Sequence, residues 1–264
     1  MPQRENGFQR HVRACNNAAL PGRRLPFFLG AVQVGWVLPE HTGPLATFGV
    51  RRDGSGMVLD DPLALPALGR SLSEAGLCPW RNEAFDVRAT PDGPVLAQID
   101  RGALPVLGIL AVGVHLNGLV RRADGLHLWL ARRAANRPLD PGKLDQMVGG
   151  GVPAGYDPAQ TLAKESEEEA ALPPALVAQA VHRGVIHYAM ERAEGLRRDM
   201  LHCYDVMLPE SFTPSPVDGE VDGFELWPIA RVVDTVRHTD DFKFNVNLVL
   251  IDLFVRLGLI PQGA

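Results

Sequence analysis

Cysteine is scarce: Cys15, Cys78 and Cys203 are the whole complement of a 264-residue chain. They are odd in number and widely spaced, with no C-x-x-C pair. Neither a disulfide framework nor a cysteine zinc site is supported, and buried free thiols in a reducing compartment are expected. Positive charge is not in excess either. Lys plus Arg number 26 against 31 Asp plus Glu, a formal charge of -5. That balance leaves no electrostatic footprint for nucleic acid, and an anionic substrate then needs local cations or a metal. Long apolar runs are missing. The longest, Pro26 to Leu38, is interrupted by Gly30, Gln33 and Gly35 and is too short to cross a bilayer. Met1 to Arg13 is polar and basic, with no apolar segment of signal-peptide type behind it. No internal repeat is visible. The expectation is a cytoplasmic globular protein with no membrane or nucleic-acid partner. Its 46% hydrophobic residues suffice for one large or two modest domains, and oligomeric state is left open.

Potential chemistry concentrates between Gly149 and Leu172. Gly149-Gly150-Gly151 reads as a glycine-rich turn. Asp157 is a good N-cap, Pro158 suits the first helical position and Gln160 stands where a capping-box partner belongs, so a helix is predicted from residue 158. Pro173 and Pro174 stop it near Ala171 or Leu172. Helical spacing puts Ala159, Leu162, Ala163, Ser166 and Ala170 on an apolar stripe, with Lys164, Glu165, Glu168 and Glu169 opposite. Three carboxylates within one turn of each other repel. Two readings follow: a solvated acidic face, or a site for a hard divalent cation, which takes oxygen ligands and bridges carboxylates to phosphate.

The stretch resembles the Nudix box, G-x5-E-x7-R-E-U-x-E-E-x-G-U with U aliphatic. Gly150 matches the opening glycine, Glu165, Glu168 and Glu169 the metal-binding glutamates, and Leu172 the closing aliphatic residue. Tyr156, Lys164, Ser166 and Ala171 depart from it, standing for glutamate, arginine, an aliphatic residue and glycine. The resemblance implies a Nudix α/β/α sandwich with a mixed sheet. It also implies Mg²⁺ or Mn²⁺ held by Glu165, Glu168, Glu169 and the Gly150 carbonyl, with Lys164 orienting Glu165 or touching phosphate.

The flanking chain supplies the context. In the first hundred residues, Phe27 to Leu38 and Leu45 to Val50 read as strands and Asp53-Gly54-Ser55-Gly56 as a turn. Asp61-Pro62 opens a helix that stops at Gly76, and Trp80 to Arg88 reads as another strand. A small α+β domain over residues 1–105 ahead of a Nudix domain over 106–264 is predicted. His11-Val12-Arg13-Ala14-Cys15-Asn16-Asn17 and Pro26-Phe27 resemble the domain of unassigned function that precedes one Nudix subfamily and also occurs beside thiamine pyrophosphokinase in some fungal proteins. That likeness suggests thiamine diphosphate or an analogue as substrate. Val112 to Val120 and Leu126 to Arg132 form a hairpin signature around Ala123-Asp124-Gly125, and the loop 138–145 leads to the glycines.

After the box helix, Ala180 to Met190 and Asp199 to Leu208 read as strands, followed by Gly219-Glu220-Val221, which resembles the G-E-V segment of several Nudix subfamilies. Glu220 has three open roles: a further ligand, the base that deprotonates water, or a loop stabiliser. Helices are predicted over 229–236 and 245–257. Arg132, Arg133 and Lys143 are candidate phosphate-binding cations, and Tyr188, with Trp227 and Phe242, is a candidate for stacking a flat substrate ring. The resemblance points to a metal-dependent pyrophosphohydrolase acting on a small-molecule diphosphate. The alternative is a non-catalytic diphosphate-binding or regulatory module. An isomerase of the same fold fits poorly, because no cysteine lies close to the loop before the box.

Overall fold

A computed structural model describes residues 7–54, 56–217 and 219–263. The front of the chain runs α1 (Gln9–Cys15), β1 (Leu25–Leu29), β2 (Val32–Val37), α2 (Thr42–Thr47), β3 (Arg51–Asp53), β4 (Gly56–Leu59), α3 (Leu65–Glu74), β5 (Ala84–Val87), β6 (Ala97–Asp100) and α4 (Leu104–Leu107). It continues as β7 (Leu110–Arg122), β8 (Gly125–Arg133), β9 (Leu144–Gln146), β10 (Val148–Gly151), α5 (Pro158–Ala170) and α6 (Pro174–Val177). Then follow β11 (Val181–Arg192), β12 (Gly195–Leu208), β13 (Val221–Pro228), α7 (Ile229–His238) and α8 (Val246–Arg256).

The larger sheet has the order β11-β12-β7-β8-β13, with β10 added to β7 and β9 to β8. β7 and β12 are parallel and the other pairings antiparallel, so the sheet is mixed. β7 is buried on both sides, as a central strand requires. Val114, Leu116 and Val120 pack with Leu162 of α5, while Leu119 on the opposite side joins Leu250 and Phe254 of α8. Helices therefore cover both faces in an α/β/α sandwich. The front residues form a four-stranded sheet, β2-β1-β4-β3, and the ribbon β5-β6, around a core that includes Phe27, Leu65, Leu72, Phe85 and Leu107.

Several expectations are corrected. Leu45 to Val50 is not a strand: α2 occupies Thr42–Thr47, and Gly49 at φ +85° turns the chain after it. Leu45 and Phe48, three apart, both pack into the front core, a spacing that six residues are too few to separate from alternation. Phe27 to Leu38 is two strands, split where Gly30 takes φ +55°. Of Trp80 to Arg88 only β5 is extended. The Asp100 carboxylate accepts the Arg81 and Glu83 backbone N–H groups at 3.0 and 3.1 Å and holds the rest as a loop. Residues 8–15 pack with the far end of the chain rather than with the front sheet: the Phe8 and Phe254 rings meet edge-on at 6.2 Å, and His11 Nε2 lies 2.8 Å from the Val236 carbonyl.

The box helix follows its predicted chemistry closely. The Asp157 carboxylate accepts the Gln160 N–H at 2.7 Å and the Gln160 side chain accepts the Asp157 N–H at 3.0 Å, a complete capping box. Its buried face differs from the expected stripe. Thr161, Leu162, Ser166, Glu169 and Ala170 are buried, while Ala159 and Ala163 are exposed. Glu169 stands seven residues, nearly two turns, beyond Leu162 and so shares its inward side.

Candidate active site

The three consecutive glycines are not a turn; they belong to β10, paired with His115, Val114 and Gly113 of β7. Their use is the space that an absent Cβ leaves. A Cβ on Gly149 would lie 2.9 Å from His115 Nδ1, on Gly150 2.5 Å from Glu165 Cδ, and on Gly151 2.4 Å from Phe85 Cζ. Successive residues of a strand point to opposite sides, so the trio admits three different elements to one short edge. The actual turn comes later, at Gly155 with φ +79°.

Glu165 enters over Gly150. Lys164 Nζ donates to Glu165 at 3.2 Å and to Glu168 at 2.5 Å, tying the two carboxylates from one side. Burial raises the Glu165 carboxyl above its ordinary range; Lys164 draws it back, and Glu168 and Glu220 push it up again. Lys164 is itself raised, first by its bond to Glu168. Glu169 is enclosed and accepts the Gly149 N–H at 2.8 Å. Burial lifts it well above the usual carboxylate range, the Gly149 bond opposes this, and Asp145, Glu165 and Glu220 add repulsion.

A small crevice beside Glu169 is lined by Gly149, Gln146, Asp145, Arg133 and Glu220. A larger cavity of about 470 Å³ lies along α5 between Ala159, Ala163, Val177 and Tyr204. Its walls are mostly apolar and it touches the acidic group through Lys164 alone, so the crevice is the site where charge converges. Asp145 anchors the crevice floor, with Arg133 Nη1 at 2.7 Å and Lys243 Nζ at 3.2 Å. Burial pushes the Asp145 carboxyl up, but Lys243, Arg133 and His115 outweigh it and hold it below its normal range. Burial, with Lys243 adding to it, pushes the His115 imidazole down to about 4, so it is neutral at physiological pH.

The predicted residues divide into groups. Gly150, Glu165 and Glu169 converge, Glu168 joins them through Lys164, and Glu220 lines the same crevice while paired with Arg137 at 2.5 Å. Arg133 reaches the crevice, but its charge is taken up by Asp145 and by the Leu139 and Asp140 carbonyls. Arg132 turns to Glu225 at 2.7 Å and to the Gly142 carbonyl, and Lys143 is half-buried in the loop before β9.

Tyr188 is a correction. Its ring is buried among Cys15, Leu201 and Leu248, and its hydroxyl donates to Asp199, so it has no free face on which a ligand could stack. Phe242 is likewise core, and the Trp227 face is covered by Arg231 at 3.4 Å. Sequence reasoning missed Asp145 as an anchor, Lys243, His115 and Gln146. Lys243 meets Asp145 across 98 residues, and no local spacing signals such a pair.

Among the described residues, no three His, Cys, Asp or Glu side chains are gathered closely enough to hold an ion; Lys164 holds Glu165 and Glu168 while Glu169 turns to Gly149. The donors nevertheless suit a hard divalent cation. They are all carboxylate and backbone oxygen, and burial makes both the enclosed Glu169 and the half-buried Glu165 resist ionisation.

The fold and site define an α/β/α sandwich that presents glutamates from the last two turns of a capped helix beside a glycine strand. The chain belongs to the NUDIX domain family, which matches residues 113–247. It is 35% identical over 268 residues to Nudix hydrolase 24, chloroplastic, of Arabidopsis thaliana, covering 96% of this chain and 73% of that protein. To Nudix hydrolase 20, chloroplastic, of the same plant it is 34% identical over 280 residues, covering 98% and 75%. Both alignments therefore include the front of the chain. Among solved structures, DR0079 of Deinococcus radiodurans superposes with a TM-score of 0.49 at 20% identity, covering 64% of this chain and 98% of that one. The protein is thus a hydrolase acting on diphosphate bonds.

Proposed function

We propose that this hydrolase is a Mg²⁺- or Mn²⁺-dependent pyrophosphohydrolase that cleaves a diphosphate linked to an organic moiety. The observation that carries the reading is the enclosed Glu169 carboxylate, set beside Glu165 and Glu220 and bonded to the Gly149 N–H. Like charges brought together in a buried crevice are unfavourable unless a cation joins them. Glu165, Glu168, Glu169 and the Gly150 carbonyl would hold that cation. When bound, it supplies Lewis acidity toward phosphoryl oxygens and favours a deprotonated attacking water.

The chain's own groups do the rest. Lys164 keeps Glu165 and Glu168 in register. Glu220, at the crevice mouth, takes the proton from the attacking water. Arg133 and Lys243 hold Asp145 as a fixed anion on the crevice floor, so the charge that receives the phosphate is left to the metal and Lys164. The organic half of the substrate is assigned from the likeness of the front segment alone, which makes thiamine diphosphate or an analogue the first compound to assay.

The test is incubation of the purified full chain with a panel of organic diphosphates, with Mg²⁺, with Mn²⁺ and with chelator. Release of phosphate or a monophosphate in the presence of metal, abolished by Glu168→Gln, is expected. No release from any diphosphate, or Glu168→Gln indistinguishable from wild type, overturns the reading.

A further inference from the structure

The front of the chain does more than pack against the catalytic sandwich. The edge of β5 lies directly on the segment that links β10 to α5, and three contacts follow one another along it. The Phe85 ring fills the space over Gly151 that a Cβ would need. The Ala154 N–H donates to the Ala84 carbonyl at 2.8 Å. The Gly155 N–H donates to Asp86 Oδ2 at 3.2 Å, and Asp86 Oδ1 is held in turn by Gln98 Nε2 at 3.1 Å. Phe85 is only 3% exposed and belongs to the front core, so its position over the glycine strand is fixed by packing elsewhere.

We infer that Phe85 and Asp86 are positioning residues for hydrolysis: the front domain clamps residues 151–155 and so fixes Gly150 and Glu165 relative to each other. Gly151 directly follows Gly150, and Gly150 faces Glu165. A strand of glycines has no side chains of its own to hold it and loses more backbone freedom than any other sequence. The clamp supplies that restraint from outside, and a displacement of about 1 Å at a catalytic group can lower turnover about 100-fold.

The inference rests on the proposed hydrolysis for its consequence, but its main test does not. Amide hydrogen exchange over residues 149–155 is measured on the full-length, metal-free protein without substrate. Phe85→Leu removes the ring atoms that meet Gly151, and Asp86→Ala removes the acceptor of the Gly155 N–H. Each is expected to speed exchange in this segment about tenfold or more while β7 and β12 keep their protection. Asp86→Asn, which keeps an acceptor oxygen, is expected to restore it.

A second arm uses the clash. Gly151 lies outside the left-handed region, so Gly151→Ala is opposed by Phe85 rather than by its own backbone. It is expected to lower kcat about tenfold or more in the wild type, with KM changed less than about twofold, and to have little effect in the Phe85→Leu background. Exchange that is unchanged in both Phe85→Leu and Asp86→Ala, or Gly151→Ala equally harmful in both backgrounds, overturns the clamp. A wild type that hydrolyses no diphosphate counts against the functional reading, and the exchange arm then still decides the clamp.

Discussion

Glu165 lies against Gly150 so closely that a Cβ on Gly150 would come within 2.5 Å of the Glu165 carboxyl carbon and 2.7 Å of its Cγ. The obstacle is the free end of a flexible side chain, not backbone. Gly150→Ala should therefore fold, with a thermal midpoint within a few degrees of wild type, while turning Glu165 away from its place. If Glu165 holds the metal as proposed, misplacing its carboxylate by about 1 Å predicts a loss of about 100-fold in kcat. Parallel thermal unfolding and steady-state kinetics check this. A Gly150→Ala enzyme of normal kcat means that the close approach is not needed for turnover.

Glu169 gives the opposite combination. Its carboxyl is raised well above 4.5 by burial, so as pH climbs past 4.5 the unfolded chain releases its proton before the folded one does. The metal-free protein should lose this part of its stability as pH rises through the elevated folded value. Glu169→Gln removes the ionisation and keeps an acceptor for the Gly149 N–H. We expect a thermal midpoint a few degrees higher at pH 8 without metal, together with near-complete loss of turnover. Millimolar Mg²⁺ should raise the midpoint of the wild type and not that of Glu169→Gln. Unfolding scans at pH 5 and pH 8, with and without Mg²⁺, separate these effects.

His115 sets an acid limit. Its folded value, near 4, lies below the ordinary 6.5, so between these values the unfolded chain binds the proton and the folded chain does not. Stability should fall as pH drops through that window, by an amount on the order of 3 kcal/mol at full protonation. His115→Asn cannot titrate and should flatten the urea-unfolding free energy between about pH 6.5 and 4, whatever it does to stability at pH 7. An equally steep slope in the variant means that the loss originates elsewhere.

What could be read from the sequence was what is local. Asp157, Pro158 and Gln160 determine a helix start within four residues, and the cap forms as their chemistry requires. The hairpin around Ala123-Asp124-Gly125 is legible for the same reason. The glycine trio was recognisable as special, but its purpose was not, because the side chains that need the space, His115 and Phe85, come from β7 and β5. Helical spacing sets Glu169 opposite the apolar stripe, although its seven-residue distance from Leu162 marks it as inward. Tyr188 was attractive as an aromatic in a strand, and only three-dimensional packing reveals Asp199 and the cluster that close it off.

Ala171 ends the box helix where the family pattern has glycine, and it adopts φ +51°, ψ +34° in the left-handed region. Its N–H still makes the helix-ending bonds to the Ser166 and Glu167 carbonyls. The departure from the pattern has therefore kept the geometry and kept the Cβ penalty with it, about 1–2 kcal/mol for an L-residue in this conformation. Ala171→Gly relieves the strain, and part of the gain is offset because glycine has more freedom to lose from the unfolded chain. Ala171 is exposed, so no packing is given up. The expected net gain is about 0.5–1 kcal/mol, read as a rise of about 1–4 °C in thermal midpoint for a chain of this size, with kcat and KM unchanged because the residue touches none of the crevice groups. A midpoint that falls on substitution means that the left-handed turn is imposed by its neighbours at little strain to Ala171 itself.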